Sequence, residues 1–163
     1  MMELTVEMTE LTAEILLRKA DELLADQGNA RDVIHLCQAA AVLYQSVGQL
    51  NLTIAALMKI GVGLQDNIDF YQEVVEAYKG AASIYEHEGN KEACSTVLMS
   101  AAFVAQKAQS VSLANNLFLK AGEGYQNVAD TYWNQKKYEL AWDNMQLAYR
   151  CLQSILINTS TLE

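Results

Sequence analysis

No proline occurs anywhere in the 163 residues, so no helix is forced to stop by a missing amide or a locked φ. Glycine is sparse too, with eight. Together the two shortages favour helix throughout. Cations are scarce: 11 Lys and Arg stand against 20 Asp and Glu, a net charge of −9. Neutralising phosphates takes clustered Lys and Arg, so nucleic acid is excluded as a partner and an anionic membrane surface is disfavoured. Histidine appears only as His35 and His87, neither spaced to share a metal with a cysteine or a second imidazole. Three cysteines, Cys37, Cys94 and Cys151, are odd in number and far apart, in apolar surroundings where a thiol acts as a small hydrophobe. There is no Gly-x-Ser-x-Gly elbow and no phosphate-cradling loop. Gly61-Val-Gly63 and Gly122-Glu-Gly124 are each half of a dinucleotide fingerprint without a preceding strand, and read as helix ends or close-packing points. The expectation is a chain that is not an enzyme and uses no cofactor and no metal. The longest apolar run, residues 54–64, is broken by Lys59 and too short for a bilayer, so membrane insertion is not expected. The start lacks a basic, then apolar, secretory pattern, and free thiols suit a cytoplasmic setting.

What is present is apolar residue at helical spacing: 52% of the chain is hydrophobic and 19% charged, the balance of a folded domain. Tyr78, Ala82 and Tyr85 share one helical face, Gly89-Asn90 supplies a turn, and Cys94, Leu98 and Ala101 resume the spacing beyond it. The small residue lets two helices approach while the aromatics fill the space beside it. The frame recurs as Cys37, Ala41, Tyr44, Gly48, Thr53, Leu57, Ile60 and as Tyr125, Ala129, Tyr132, Lys136, Ala141, Met145, Ala148. A unit written three times that cannot bury its apolar face alone implies stacking. The fold class expected is all-α: a right-handed α-solenoid of antiparallel helix pairs, about seven helices in one domain.

In chain order, residues 8–27 form a capping helix with Thr9 as N-cap, residues 31–66 the first repeat, 69–109 the second and 112–157 the third, with Ser112 and Asp69 as candidate caps. Whether the helix over 112–134 breaks at Gly122 is open on sequence. The polar tail from Asn158 is expected to fray.

The order aromatic, Ala, Tyr, Gly, small, large apolar, Ala resembles the tetratricopeptide repeat. The phrase Ala81-Ala82-Ser-Ile-Tyr85-Glu-His-Glu-Gly89-Asn90 is similar to one in the soluble attachment proteins of membrane fusion. The resemblance covers residues 31–152. It departs where Thr53 and Ile60 stand for Ala and Lys136 for Gly, in the missing proline, and in copies about 40 to 50 residues apart rather than the usual 34. It implies a concave groove lined by the first helix of each pair: His35, Gln38, Val42 and Gln45; Glu76, Lys79, Ser83 and Glu86; Glu123, Gln126, Asp130 and Trp133. Glu76, Glu86, Glu123 and Asp130 against Lys79 alone make such a groove acidic. The paired Lys and Asn with which some members clamp a terminal carboxylate are missing, since Gln38, Val42, Glu76 and Ser83 stand there.

The function expected is a protein-binding adaptor that holds a basic or amphipathic segment of another protein, with Trp133 as an aromatic anchor. Two alternatives stay open. One is a structural subunit whose apolar ends, near residues 11–24 or 142–156, pack on a copy of itself, as in a homodimer, or on a larger helical assembly. The other is a helical small-molecule sensor with a cavity under Tyr71, Tyr78 and Tyr125.

Overall fold

The computed structural model describes residues 1–161. Among the described residues seven α-helices follow one another: α1 (Met2–Ala25), α2 (Ala30–Ser46), α3 (Leu50–Leu64), α4 (Tyr71–His87), α5 (Lys91–Lys107), α6 (Val111–Asn134) and α7 (Tyr138–Ser160). A single 3-10 turn, Ile68–Phe70, leads into α4, and no strand occurs among the described residues. The fold is therefore all-α. It divides into two compact units, Met1–Ala81 and Ala82–Glu163, with the boundary inside α4.

In the first unit α1 packs on α2 and α2 on α3, the consecutive pairing of a helical solenoid. Ala13 of α1, Ala40, Ala41 and Tyr44 of α2 and Ala56 of α3 form one buried cluster, flanked by Leu16, Leu17, Leu43 and Leu57. Alanine at the contact brings the backbones close, and the leucines fill the sides. Lys59 pairs with Asp21, and the Gln49 amide donates to Glu10 Oε1 at 2.7 Å, tying α3 back to α1. In the second unit α5 packs on α6 and α6 on α7. Its core holds Tyr125 and Phe118, the latter edge-on to Phe103 with centroids 5.0 Å apart. A polar bridge crosses the same unit: Gln106 Nε2 donates to Asn158 Oδ1 at 2.7 Å, and Asn158 Nδ2 donates to Asn115 Oδ1 at 2.8 Å.

Five helices end in one and the same way. Gln27, Gly48, Gly89, Gln109 and Lys136 all have positive φ, between 51° and 78°. At each, its own amide bonds three residues back and the next amide five residues back, as Lys136 N to Trp133 O at 3.0 Å and Lys137 N to Tyr132 O at 2.9 Å. That is the double hydrogen bond of a left-handed helix stop.

Several element boundaries differ from the sequence expectation. Thr9 is not an N-cap: α1 already starts at Met2, and the Thr9 hydroxyl donates to the Thr5 carbonyl at 2.8 Å, since nothing between Met2 and Thr9 stops a helix. Helix α6 begins at Val111 with Ser110 before it, so Ser112 lies inside the helix. The 3-10 turn takes up Asp69. Helix α6 also runs unbroken through Gly122. Its two glycines serve close approach instead: a Cβ on Gly122 would lie 3.3 Å from Cys151 Cβ, and one on Gly124 would overlap the Ser95 hydroxyl. The tail is helical to Ser160, because Asn158 is buried and bonded at both ends of its amide.

Candidate interaction surface

The repeated frame decides which way each side chain faces. Cys37, Ala41, Tyr44, Tyr78, Ala82, Tyr125 and Ala129 are all buried, and Tyr85 and Tyr132 are half-buried. The Tyr125 hydroxyl donates to Thr96 Oγ1 at 3.0 Å, and the Tyr132 hydroxyl donates to the Glu92 carboxylate at 3.0 Å, so both tyrosines of α6 clamp α5. Donation to that carboxylate raises the Tyr132 pKa above the usual tyrosine value. With the tyrosines turned inward, the residues between them turn out. His35, Gln38, Val42 and Gln45 on α2 are exposed, as are Glu76, Lys79, Ser83 and Glu86 on α4 and Glu123, Gln126, Asp130 and Trp133 on α6.

In the first unit the charges on this face largely cancel. Lys79 Nζ lies 3.0 Å from Glu76 Oε1, one helical turn away. Beside His35 and Gln38 a cleft of about 210 Å³ is lined by Arg31, Phe70 and Glu73, with the Arg31 guanidinium 5.8 Å from the Phe70 ring centre. Arg31 is a cation that counting from the shared tyrosine does not find, because it lies a turn before the frame begins. In the second unit Glu123, Gln126, Asp130 and Trp133 recur three and four residues apart, which puts them on one line along α6. Trp133 is 59% exposed and rests edge-on against Tyr138, ring centres 4.9 Å apart, so its indole is held in place with most of it uncovered. Sequence position alone does not show that Lys79 pairs with Glu76, which leaves Glu86 on α4 and Glu123 and Asp130 on α6 as the other carboxylates of the set.

The remaining reactive groups are placed structurally. Burial pushes the Cys37 and Cys151 thiols up to about 11, and burial together with Glu86 raises Cys94 as well, so all three are poor nucleophiles at neutral pH. The Tyr78 ring lies against Gly61, where an added Cβ would fall inside van der Waals contact. Among the described residues no group of three or more His, Cys, Asp or Glu is placed to hold a metal ion, and no helix is long and apolar enough to cross a membrane.

Apolar residues are also left bare on the two end helices. On α1, Leu4, Met8, Leu11 and Ile15 form an exposed line on the side away from buried Ala13 and Ala20. On α7, Tyr138, Trp142, Met145, Tyr149, Leu152 and Leu156 do the same opposite buried Asn144 and Cys151.

No family model matches the chain, and no curated protein matches it. Among solved structures, the crystal structure of BtubC (BKLC) from P. vanneervenii is similar at 12% identity and a TM-score of 0.36, over 95% of this chain and 87% of that one. Function therefore has to be read from the chain's own residues.

Proposed function

We propose that the chain is a non-enzymatic interaction module of tetratricopeptide-like helix pairs, similar in style to the soluble attachment proteins, and that it binds a basic or amphipathic segment of another protein. The observation that carries this reading is the line on α6: two carboxylates, an amide and a braced, mostly bare tryptophan, all exposed along one helix. A helix or extended strand bearing Lys or Arg would set its cations against Glu123 and Asp130 and its apolar side on Trp133. Three unpaired thiols suit a reducing compartment such as the cytosol.

The test is fluorescence anisotropy with a labelled lysine-rich amphipathic helical peptide. Glu123→Lys with Asp130→Lys is expected to weaken binding and flatten its salt dependence, and Trp133→Ala to cost roughly tenfold or more in affinity. Unchanged affinity and unchanged salt dependence in the charge-reversed chain would overturn the reading.

A further inference from the structure

The bare line on α7 occupies the same helical positions as faces that are covered elsewhere in the chain. In α3 the corresponding residues are Ile54, Leu57, Gly61 and Leu64, all buried or half-buried. Gly61 and Leu57 there lie against Tyr78 and Gly80 of the next helix. In α5 they are Ser95, Leu98, Ala102 and Ala105, and Ser95 lies under Gly124 of the next helix. In α7 the same positions hold Trp142, Met145, Tyr149 and Leu152, each more than half exposed. A face built to receive a helix thus carries large apolar side chains and no cover.

We propose that a second copy of the chain covers it, the two α7 helices packing antiparallel about a two-fold axis at the level of Leu147. The apolar positions fall four and three residues apart in alternation from Tyr138 to Leu156, the seam spacing of two helices in extended contact. In the antiparallel register each aromatic meets an aliphatic: Tyr138 meets Leu156, Trp142 meets Leu152, and Tyr149 meets Met145. A parallel pair would set Trp142 on Trp142 and Tyr149 on Tyr149.

Charge favours α7 over α1 as the surface of contact. The whole chain carries −9, so two copies repel unless they meet where charge is absent. Along the edges of the α7 line stand Glu139, Gln146 and Gln153 on one side and Ala141, Ala148 and Ile155 on the other. The two-fold puts Glu139 opposite Gln153 and Gln146 opposite itself, and no like charges face each other. The α1 line is different: Glu7 and Glu14 edge it on one side, and an antiparallel α1 pair would set them against each other. Size also fits. Six side chains of about 200 Å² each, more than half exposed, present roughly 700 Å², close to the ~800 Å² per partner of a standard interface.

The inference does not rest on the peptide reading for α6, although Tyr138 at the end of the seam also braces Trp133, and its test uses the full chain. Sedimentation equilibrium is expected to give a concentration-dependent dimer that holds or strengthens as salt rises, since added ions screen the repulsion between acidic copies. Trp142→Glu and Tyr149→Glu are each expected to raise the dimer dissociation constant about 100-fold with helicity unchanged by circular dichroism, whereas Leu11→Glu on α1 leaves it as it was. Under mild oxidation, Gln146→Cys is expected to cross-link to its counterpart and Glu139→Cys is not. A monomer at every concentration, a dimer broken by Leu11→Glu but not by Trp142→Glu, or cross-linking through Glu139→Cys instead of Gln146→Cys would each overturn the proposal.

Discussion

Replacing Lys136 by glycine should make the protein more stable, although it removes a side chain and adds nothing that touches anything. Lys136 sits at φ 60°, where a Cβ crowds the neighbouring carbonyl at a cost of about 1–2 kcal/mol. Glycine avoids that strain but loses more backbone entropy on folding, about 0.5–1 kcal/mol. The difference leaves a gain of roughly 0.5–1 kcal/mol for Lys136→Gly, and the same for Gln109→Gly at φ 61°. The two residues lie at opposite ends of α6, whose 24 residues span about 36 Å, so their effects should add. The reverse change isolates the backbone contribution. A Cβ built on Gly48 or Gly89 meets no atom within 4 Å, so Gly89→Ala carries no packing penalty. It should still cost about 1 kcal/mol through φ 78° alone. Urea unfolding followed by circular dichroism measures each difference as a midpoint shift at constant slope. A neutral Gly89→Ala together with a destabilising Lys136→Gly would refute the claim that these stops are set by backbone handedness.

Two further outcomes follow from the packing and the thiols. Gly61→Ala should destabilise by about 1–2 kcal/mol, because the new methyl overlaps the rigid Tyr78 ring and overpacking outweighs the helix-propensity gain. Gly80→Ala meets only a Leu57 methyl at 3.2 Å and should be neutral or mildly stabilising; equal losses at both sites in thermal melts would contradict that contrast. Stability should also fall between about pH 9 and 11. The folded state holds the Cys37 and Cys151 protons up to about 11, while the unfolded chain releases them near the ordinary value of 9.0. The stabilisation is therefore whole below pH 9 and lost as pH rises, on the order of 2 kcal/mol per thiol. A melting temperature that is flat across that window, or that falls equally in a Cys37→Ala, Cys151→Ala chain, would show that burial of the thiols is not the cause.

The helices were legible because their causes are local. With proline absent, a 3-and-4 spacing of apolar residues has nothing to interrupt it, and α3 runs over residues 50–64 as the spacing sets it. Gly48 and Gly89 could be read as stops because glycine favours the left-handed region. Lys136 and Gln109 adopt the same conformation, but there the turn is held by hydrogen bonds to the preceding helix and not by the residue's own preference, so the side chain gives no sign of it. Gly122 was left open on sequence for the opposite reason. A glycine is a weak helix position only when nothing packs on it, and here Cys151 lies where a side chain would otherwise be.

The surface divides along the same line between local and tertiary causes. That Glu123, Asp130 and Trp133 point outward follows from their distance along the helix from Tyr125, a relation that needs no third dimension. Whether an inward-type position is covered does not follow from spacing at all. Leu57, Leu98 and Met145 hold one place in a repeated frame, yet Leu57 and Leu98 are half-buried and Met145 is 51% exposed. The pattern states only that a helix belongs on that face; what is packed there depends on which other helix is at hand. For α3 and α5 that helix is the next one in the same chain. For α7 no helix among the described residues covers Trp142, Met145 and Tyr149, and about 700 Å² of exposed apolar surface corresponds to on the order of 15 kcal/mol of hydrophobic stabilisation, of which association recovers only a part.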